Sequence, residues 1–111
     1  VLEAAEMLEA QGIHASVLDL RWLNPLDESA IIELVKNSGG KLLIVHEANR
    51  TGGFGAEISA RIGETCFGTL KAPIQRLATP DSRIPASPIL QGALIPTVSG
   101  VFEAATHLHK Y

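Results

Sequence analysis

The sequence predicts an α/β fold with parallel strands. Segments with the apolar period of helices alternate with short apolar segments typical of strands, and short turns separate them. The chain has 111 residues, of which 46% are hydrophobic and 19% charged. This length suits one small domain with one core, so we treat residues 1–111 as a single domain.

Residues 1–11 have the pattern of an amphipathic helix, and Gly12 is placed to end it. The sequence starts within this pattern, without an initiator Met, a capping residue or a signal peptide, so we expect a chain that is truncated at its N-terminus. The predicted buried face carries Leu2, Ala5 and Leu8 with Ala4, and the opposite face carries Glu3, Glu6 and Glu9.

A strand and a second helix follow. Residues 15–20 (ASVLDL) predict a short strand, and Pro25 interrupts the chain before Asp27, whose carboxylate can cap the next helix. Residues 37–40 (NSGG) end that helix, because glycine tolerates positive φ. The predicted buried stripe of this helix is Ile31, Ile32, Leu34 and Val35.

Residues 41–45 (KLLIV) are a continuous apolar run, which is typical of a strand buried on both faces. We therefore expect this strand to be central in the sheet. The glycine-rich residues 51–55 (TGGFG) then predict a turn into a third helix. The core-facing positions of that helix, spaced by four, are Phe54, Ile58, Ile62 and Cys66.

The last part of the chain predicts one strand and one helix. Residues 72–78 (APIQRLA) predict the third strand, and the proline-rich stretch after it is expected to lie on the surface without regular helix or central strand. A final helix that ends at Tyr111 should cover the sheet. The prolines are Pro80, Pro85, Pro88 and Pro96, and the apolar face of the helix carries Val98, Val101, Phe102, Ala105 and Leu108.

Two successive β-α-β units imply parallel strands, with ligand or partner sites at the carboxyl ends of the strands. Residues 46–55 lie at such an end. Three strands make a narrow sheet, and an initial helix normally follows a strand in this architecture, so we expect at least one further strand upstream of Val1.

Composition excludes several classes of function. Nine Lys and Arg against twelve Asp and Glu give a formal charge of -3 without a basic cluster, so nucleic-acid binding is not expected. The apolar runs are far shorter than the roughly 20 residues that a membrane-spanning helix needs. The single cysteine, Cys66, cannot form an internal disulfide and fits a reducing compartment.

Motifs that carry chemistry are incomplete. His46 and Glu47 lack the second histidine of a zinc protease helix, and a strand-end polar pair bonded to neighbouring loops is the favoured interpretation. The glycines of residues 53–58 (GFGAEI) could hold an anion or let another chain approach closely, but Ile58 stands where a dinucleotide fingerprint needs its third glycine. A tight turn is the simpler interpretation, and we expect Gly53 to need positive φ and close backbone approach.

Other polar residues give weaker signals. No Gly-x-Ser-x-Gly elbow exists, and Cys66 lies on an inward face, so hydrolase chemistry is disfavoured. His107 and His109 are two apart on a helix and diverge, which disfavours a metal site. A solvated surface cluster is expected for Arg76, Asp81 and Arg83.

Three motifs together resemble the transketolase C-terminal domain. They are LDLRWLNPLD at residues 18–27, VHEA at residues 45–48 and TGGFGAEI at residues 51–58. More narrowly, the chain is similar to the C-terminal domain of the β subunit, or fused β part, of the thiamine-diphosphate-dependent E1 component of 2-oxoacid dehydrogenase complexes, nearest to the branched-chain type. The resemblance covers nearly all 111 residues.

The resemblance implies a three-layer α/β/α domain with a mixed sheet of five strands. Two of those strands would precede Val1, and one of the two would lie between residues 15–20 and 42–45. Thiamine diphosphate and Mg²⁺ would be bound by other domains, which also supply the activating glutamate and the catalytic histidines. This domain itself would then carry no catalytic, cofactor-binding or metal-binding residue.

The implied role is assembly. The partners would be the E1 α subunit or domain, a second E1 β copy and the E2 acyltransferase, which would meet Lys110 and Tyr111. The whole enzyme would decarboxylate a 2-oxoacid oxidatively and acylate the E2 lipoyl group, in the cytoplasm or, in a eukaryote, the mitochondrial matrix. The expected subunit-interface residues are His46, Glu47, Thr51, Gly52, Gly53, Phe54 and Gly55.

One departure and two alternatives stand beside this interpretation. Residues 81–85 (DSRIP) differ from the family, which usually has Thr-Pro after the aspartate, so partner contacts there are in doubt. The chain could instead belong to another thiamine enzyme, a transketolase or a deoxyxylulose-phosphate synthase. It could also be a stand-alone anion-binding module that uses residues 52–55.

Overall fold

A computed structural model describes residues 1–83 and 86–111. Ile84 and Pro85 belong to the DSRIP segment named in the sequence analysis, and they lie outside these described residues. In chain order the elements are α1 (Leu2–Glu9), α2 (Glu28–Asn37), β1 (Leu43–Asn49), α3 (Phe54–Thr65), β2 (Gln75–Thr79), α4 (Pro88–Leu94) and α5 (Val98–His109).

The two strands are parallel, as expected for a β-α-β unit with α3 as its crossover. The register runs from Leu43 opposite Gln75 to Val45 opposite Leu77, and it becomes irregular between Val45 and Asn49. Within the described residues the sheet contains these two strands. The parallel α/β architecture predicted from the sequence is therefore confirmed.

Helices pack on both sides of the sheet. α2 and α3 contact each other and α3 contacts both strands, while α5 packs on both strands and against α1. The apolar stripes of α2, α3 and α5 face the sheet as the sequence predicted. The cluster beneath α2 and α3 consists of Ile31, Val35, Ile44, Ile58, Ile62 and Cys66, and the buried residues of α1 and α5 are Ala4, Leu8, Val101 and Leu108.

The helix ends match their sequence signals. The Asp27 carboxylate accepts a hydrogen bond of 3.1 Å from the Ala30 backbone N–H and caps α2. Gly39 and Gly40 follow α2 with φ of +80° and +72°. A Cβ on Gly40 would collide with the Thr69 carbonyl oxygen, so this position needs glycine for space as well as for conformation.

The predicted strand at residues 15–20 is absent, and this expectation is wrong for the described structure. Val17 and Leu18 remain 39% and 38% exposed. A strand forms only where its backbone can pair with another, and a cavity of about 1020 Å³ separates this segment from β1. For the same reason β1 is paired on one edge only, so the expectation that it is central is not met among the described residues.

The prediction for one residue of α1 is also wrong. Leu2 was expected on the buried face, but it is 69% exposed and lines the cavity. Ala4 and Leu8 are buried as expected, and Ala5 is half-buried.

Two further boundaries differ from the sequence prediction. The proline-rich stretch contains a helix, α4, which begins at Pro88. Proline is tolerated in the first turn of a helix, where its missing N–H would have no partner. β2 begins at Gln75 rather than at Ala72, and Pro73 has no N–H to donate to a strand ladder.

Candidate functional site

The candidate site is the turn that joins β1 to α3, at the carboxyl edge of the sheet. Gly52 has φ of +73°, whereas Gly53 is extended, with φ of -73° and ψ of 156°, and precedes the first residue of α3. The expectation that Gly53 needs positive φ is therefore wrong, and that requirement falls on Gly52. Thr51 and Gly52 are exposed, and the chain becomes buried by Gly55.

The His46 ring explains why Gly53 and Gly55 carry no side chain. A Cβ on Gly53 would lie 2.8 Å from His46 Cε1 and would collide with the Asn49 carbonyl oxygen. A Cβ on Gly55 would collide with the Nε2 and Cδ2 edge of the same ring. The close approach expected of these glycines is thus made within the chain, to an imidazole.

His46 and Glu47 have different surroundings. Both His46 ring nitrogens are buried, and neither has a hydrogen-bond partner among the described residues. Glu47 is exposed, and its carbonyl oxygen accepts a hydrogen bond from the hydroxyl of the fully buried Thr79. The expected bonding of this pair to neighbouring loops is therefore not seen among the described residues, because the Glu47 backbone bonds to the last residue of β2 and the His46 ring nitrogens meet no partner.

Thr51 and Asp81 form a clasp between the turn after β1 and the loop after β2. The Thr51 backbone N–H donates to Asp81 Oδ1 at 2.9 Å, and the Thr51 hydroxyl donates to Asp81 Oδ2. These two bonds, with a smaller contribution from the charges of Arg50 and Arg76, hold the pKa of the Asp81 carboxyl below its usual range. The clasp fixes the first residue of the glycine turn.

Two arginines reinforce the same edge. Arg50 Nη1 donates to the Arg76 carbonyl oxygen at 2.7 Å, and Arg76 Nη1 donates to the Arg50 carbonyl oxygen at 2.9 Å. In the expected surface cluster, Arg76 hydrogen-bonds to Arg50 and Asp81 hydrogen-bonds to Thr51. The third residue, Arg83, is exposed. Arg50 was not predicted from the sequence, although its position directly before the turn could have indicated it.

A second feature of the site is the cavity beside β1. Its walls come from the open edge of β1, from residues 13–21, and from helices α1, α3 and α5. Most of the lining is apolar, and His46 is among the residues that line it. The cavity therefore runs along β1 to the turn that the clasp holds.

The C-terminal pair lies at the end of α5. Lys41 Nζ donates to the carbonyl oxygens of His109 and Tyr111 at 2.7 and 2.8 Å, which satisfies acceptors that a helix end leaves unpaired. The Tyr111 ring meets the His107 ring edge to face at 5.9 Å. Lys110 and Tyr111 are exposed, and the lysine that anchors them was also missed from the sequence.

The described ranges, 1–83 and 86–111, contain no group of three or more His, Cys, Asp or Glu side chains that could hold a metal ion. No helix within them is long and apolar enough to span a bilayer.

Comparison with known proteins matches residues 1–101 to the family model described as transketolase, C-terminal domain. The chain is 51% identical over 87 residues to the 2-oxoisovalerate dehydrogenase subunit beta of Bacillus subtilis, covering 78% of this chain and 26% of that protein. It is 39% identical over 109 residues to the acetoin:2,6-dichlorophenolindophenol oxidoreductase subunit beta of Cupriavidus necator, covering 98% of this chain and 32% of that protein.

Two further similarities extend over nearly the whole chain. The pyruvate dehydrogenase E1 component subunit beta of Bacillus subtilis is 38% identical over 110 residues, which cover 99% of this chain and 33% of that protein. A solved structure, a split gene transketolase as an inactive beta4 tetramer, superposes with a TM-score of 0.77 at 28% identity, over 96% of this chain and 34% of that one. The chain spans a third or less of the curated relatives it matches.

Replacing Gly53 by alanine should destabilise the protein by about 1–3 kcal/mol, because the added methyl group meets the His46 ring and the Asn49 carbonyl. Gly63→Ala is the matched control. A Cβ there meets nothing within 4 Å, and alanine is favoured in a helix interior by about 0.5–1 kcal/mol. Chemical denaturation of both variants checks this, and equal stability of the two would contradict the packing described.

Asp81→Asn should release the turn after β1, because the neutral amide is a weaker acceptor than the carboxylate. The expected result is faster hydrogen exchange at the Thr51 amide, measured by NMR. In the unsubstituted protein the clasp is fully present above the ordinary aspartate pKa of 3.8 and is lost as the pH falls through the lowered pKa of Asp81. Unchanged Thr51 protection in Asp81→Asn would show that the clasp does not hold the turn.

Proposed function

The chain belongs to the transketolase C-terminal domain family, and from that membership we propose that it is the C-terminal domain of the E1 β component of a 2-oxoacid dehydrogenase complex. The match across residues 1–101 carries the proposal. The 51% identity to a 2-oxoisovalerate dehydrogenase subunit favours a branched-chain 2-oxoacid as the substrate of the whole enzyme. The 28% identity to a transketolase supports a transketolase less strongly.

The proposed reaction of the complete enzyme is oxidative decarboxylation of the 2-oxoacid, followed by acylation of a lipoyl group on the E2 acyltransferase. Thiamine diphosphate with Mg²⁺ would supply the carbanion stabilisation that decarboxylation needs. We assign the cofactor to other domains, because the chain spans a third or less of the relatives it matches. In this proposal the chain contributes no reacting group.

The proposed role of the chain is to assemble subunits. Residues 46–55, held by the Thr51–Asp81 clasp, would present a rigid edge to the E1 α component and to a second E1 β copy. Glu47, Thr51 and Gly52 are the exposed residues of this edge among those expected at the interface. A preorganised edge lowers the entropy that association costs, which supports this role.

We place E2 at the other end of the domain. Lys110 and Tyr111 are exposed, and Lys41 orders the backbone that carries them. The exposed ring of Tyr111 suits a docking surface, since aromatic side chains are enriched at interfaces.

We further propose that residues upstream of Val1 complete the sheet. The cavity of about 1020 Å³ has the open edge of β1 as one wall and residues 15–20 as another. A strand there would pair β1 on its second edge and would give residues 15–20 the partner that a strand requires.

The compartment would be the cytoplasm or, for a eukaryotic source, the mitochondrial matrix, as some relatives are named mitochondrial.

The test uses the assembled E1 enzyme that contains this chain, with Glu47→Arg as the variant. A longer side chain of opposite charge on the proposed interface should reduce the assembled fraction by about tenfold or more at a fixed subunit concentration. Glu64→Arg makes the same change on an exposed position of α3 and should leave assembly unchanged. Analytical ultracentrifugation measures assembly, and reduction of an artificial electron acceptor by 3-methyl-2-oxobutanoate measures activity.

The proposal predicts that assembly and activity fall together in Glu47→Arg. Normal assembly of that variant would contradict the proposal that residues 46–55 form the interface. Turnover of a 2-oxoacid by the chain alone would overturn the assignment of chemistry to other domains. Saturable phosphate binding at residues 52–55 of a monomeric chain would favour the anion-binding alternative.

A further inference from the structure

We propose that Arg50 and Arg76 together form a docking site for a carboxylate side chain of a neighbouring subunit in the assembled enzyme. The inference rests on the proposed role of residues 46–55 in assembly. It adds the chemistry of the partner, which is an acidic segment, and it assigns the two side chains that bind it. We call these two side chains the arginine pair.

Reciprocal hydrogen bonds hold both members of the arginine pair at one edge of the sheet. Arg50 Nη1 donates to the Arg76 carbonyl oxygen at 2.7 Å, and Arg76 Nη1 donates to the Arg50 carbonyl oxygen at 2.9 Å. Among the described residues each guanidinium makes this one hydrogen bond. A guanidinium has several further N–H donors, so both groups are positioned and can still bind another acceptor.

No carboxylate of the described residues forms an ion pair with the arginine pair. The ion pairs within residues 1–83 and 86–111 join Arg61 to Glu28 and to Glu57. Asp81 lies on the same edge, but its two oxygens accept hydrogen bonds from the backbone and the hydroxyl of Thr51. Two positive charges held together repel each other, so a carboxylate bound between them would stabilise both.

The charge of this edge differs from that of the whole chain. The chain has a formal charge of -3, whereas the arginine pair places two positive charges beside the glycine turn. Arg83, two residues after Asp81, is exposed and adds a third positive charge to the loop after β2. Because opposite charges across an interface favour the correct partner and like charges disfavour a wrong one, this edge selects an acidic segment.

The openness of the edge favours a carboxylate carried by a protein over a small free anion. Arg50 is exposed and Arg76 is half-buried, and neither lines the cavity beside β1. On an open surface water and salt screen a charge pair, so a small anion gains little there. A subunit that covers the edge excludes this water, and a guanidinium then binds a carboxylate through two parallel hydrogen bonds.

The test uses the assembled E1 enzyme that contains this chain. The forms compared are the unsubstituted enzyme, Arg50→Gln, Arg76→Gln, Arg76→Lys and Arg61→Gln. Glutamine removes the charge, whereas lysine keeps the charge and loses the planar fork of donors. Arg61→Gln is the matched control, because Arg61 already binds Glu57 of its own helix at 2.9 Å.

Two quantities are measured for each form. Analytical ultracentrifugation gives the association constant of the subunits at a series of NaCl concentrations. Denaturant titration gives the stability of the complete polypeptide that carries this chain, before assembly. The second measurement separates a loss of docking from a loss of folding, since both arginines also bond to backbone carbonyl groups.

We expect Arg50→Gln and Arg76→Gln each to lower the association constant at low salt on the order of tenfold to a hundredfold. Both should also weaken its dependence on NaCl, because salt screens the ion pairs that they remove. Arg76→Lys should keep the salt dependence and recover part of the affinity, and Arg61→Gln should change neither. If the glutamine variants leave the salt dependence of association unchanged, the arginines only hold the edge and the inference is overturned.

The failure of this inference can be separated from the failure of the proposed assembly role. If Glu47→Arg prevents assembly while the glutamine variants at Arg50 and Arg76 assemble normally, residues 46–55 form the interface and only the docking of a carboxylate is lost. If none of these variants affects assembly, both proposals fail.

Discussion

The hydrogen-bonding requirement of β1 is the constraint on which the rest of this structure depends. Where an edge of a strand between two helix layers faces the interior, its N–H and C=O groups need partners, because they would otherwise be buried without hydrogen bonds. β2 satisfies one edge, and the cavity borders the other. Within the part of the chain that the structure describes, the exposed Leu2 and residues 15–20, which form no strand ladder, line this same cavity.

The sequence predicts the helices well because their signals are local. The stripe of Ile58, Ile62 and Cys66 and the cap at Asp27 depend on neighbours three or four residues away. Residues 15–20 fail as a strand because a strand depends on a distant partner, whatever its own propensity. Pro88 misled the prediction in another way, since proline excludes a helix interior but not its first turn.

The candidate site is predictable in outline only. The glycine turn follows from its residues, and the family follows from three motifs in order. The clasp does not follow from the sequence, because Thr51 and Asp81 are 30 residues apart and no local pattern predicts their contact. The need for glycine at position 53 could not be predicted either. It comes from the packing of Gly53 against the His46 ring, seven positions earlier in the chain, and not from the φ of Gly53 itself.

We propose that this chain is a scaffold whose sheet is completed by further residues of the same polypeptide, and hydrogen exchange at β1 tests that most directly. The Leu42 carbonyl bonds to β2, so the amides of Leu43 and Val45 point towards the open edge, because successive residues of a strand alternate in direction. These two amides should exchange slowly in the complete polypeptide and rapidly in residues 1–111 alone. Equal protection in both forms, with residues 1–111 monomeric, would contradict the account.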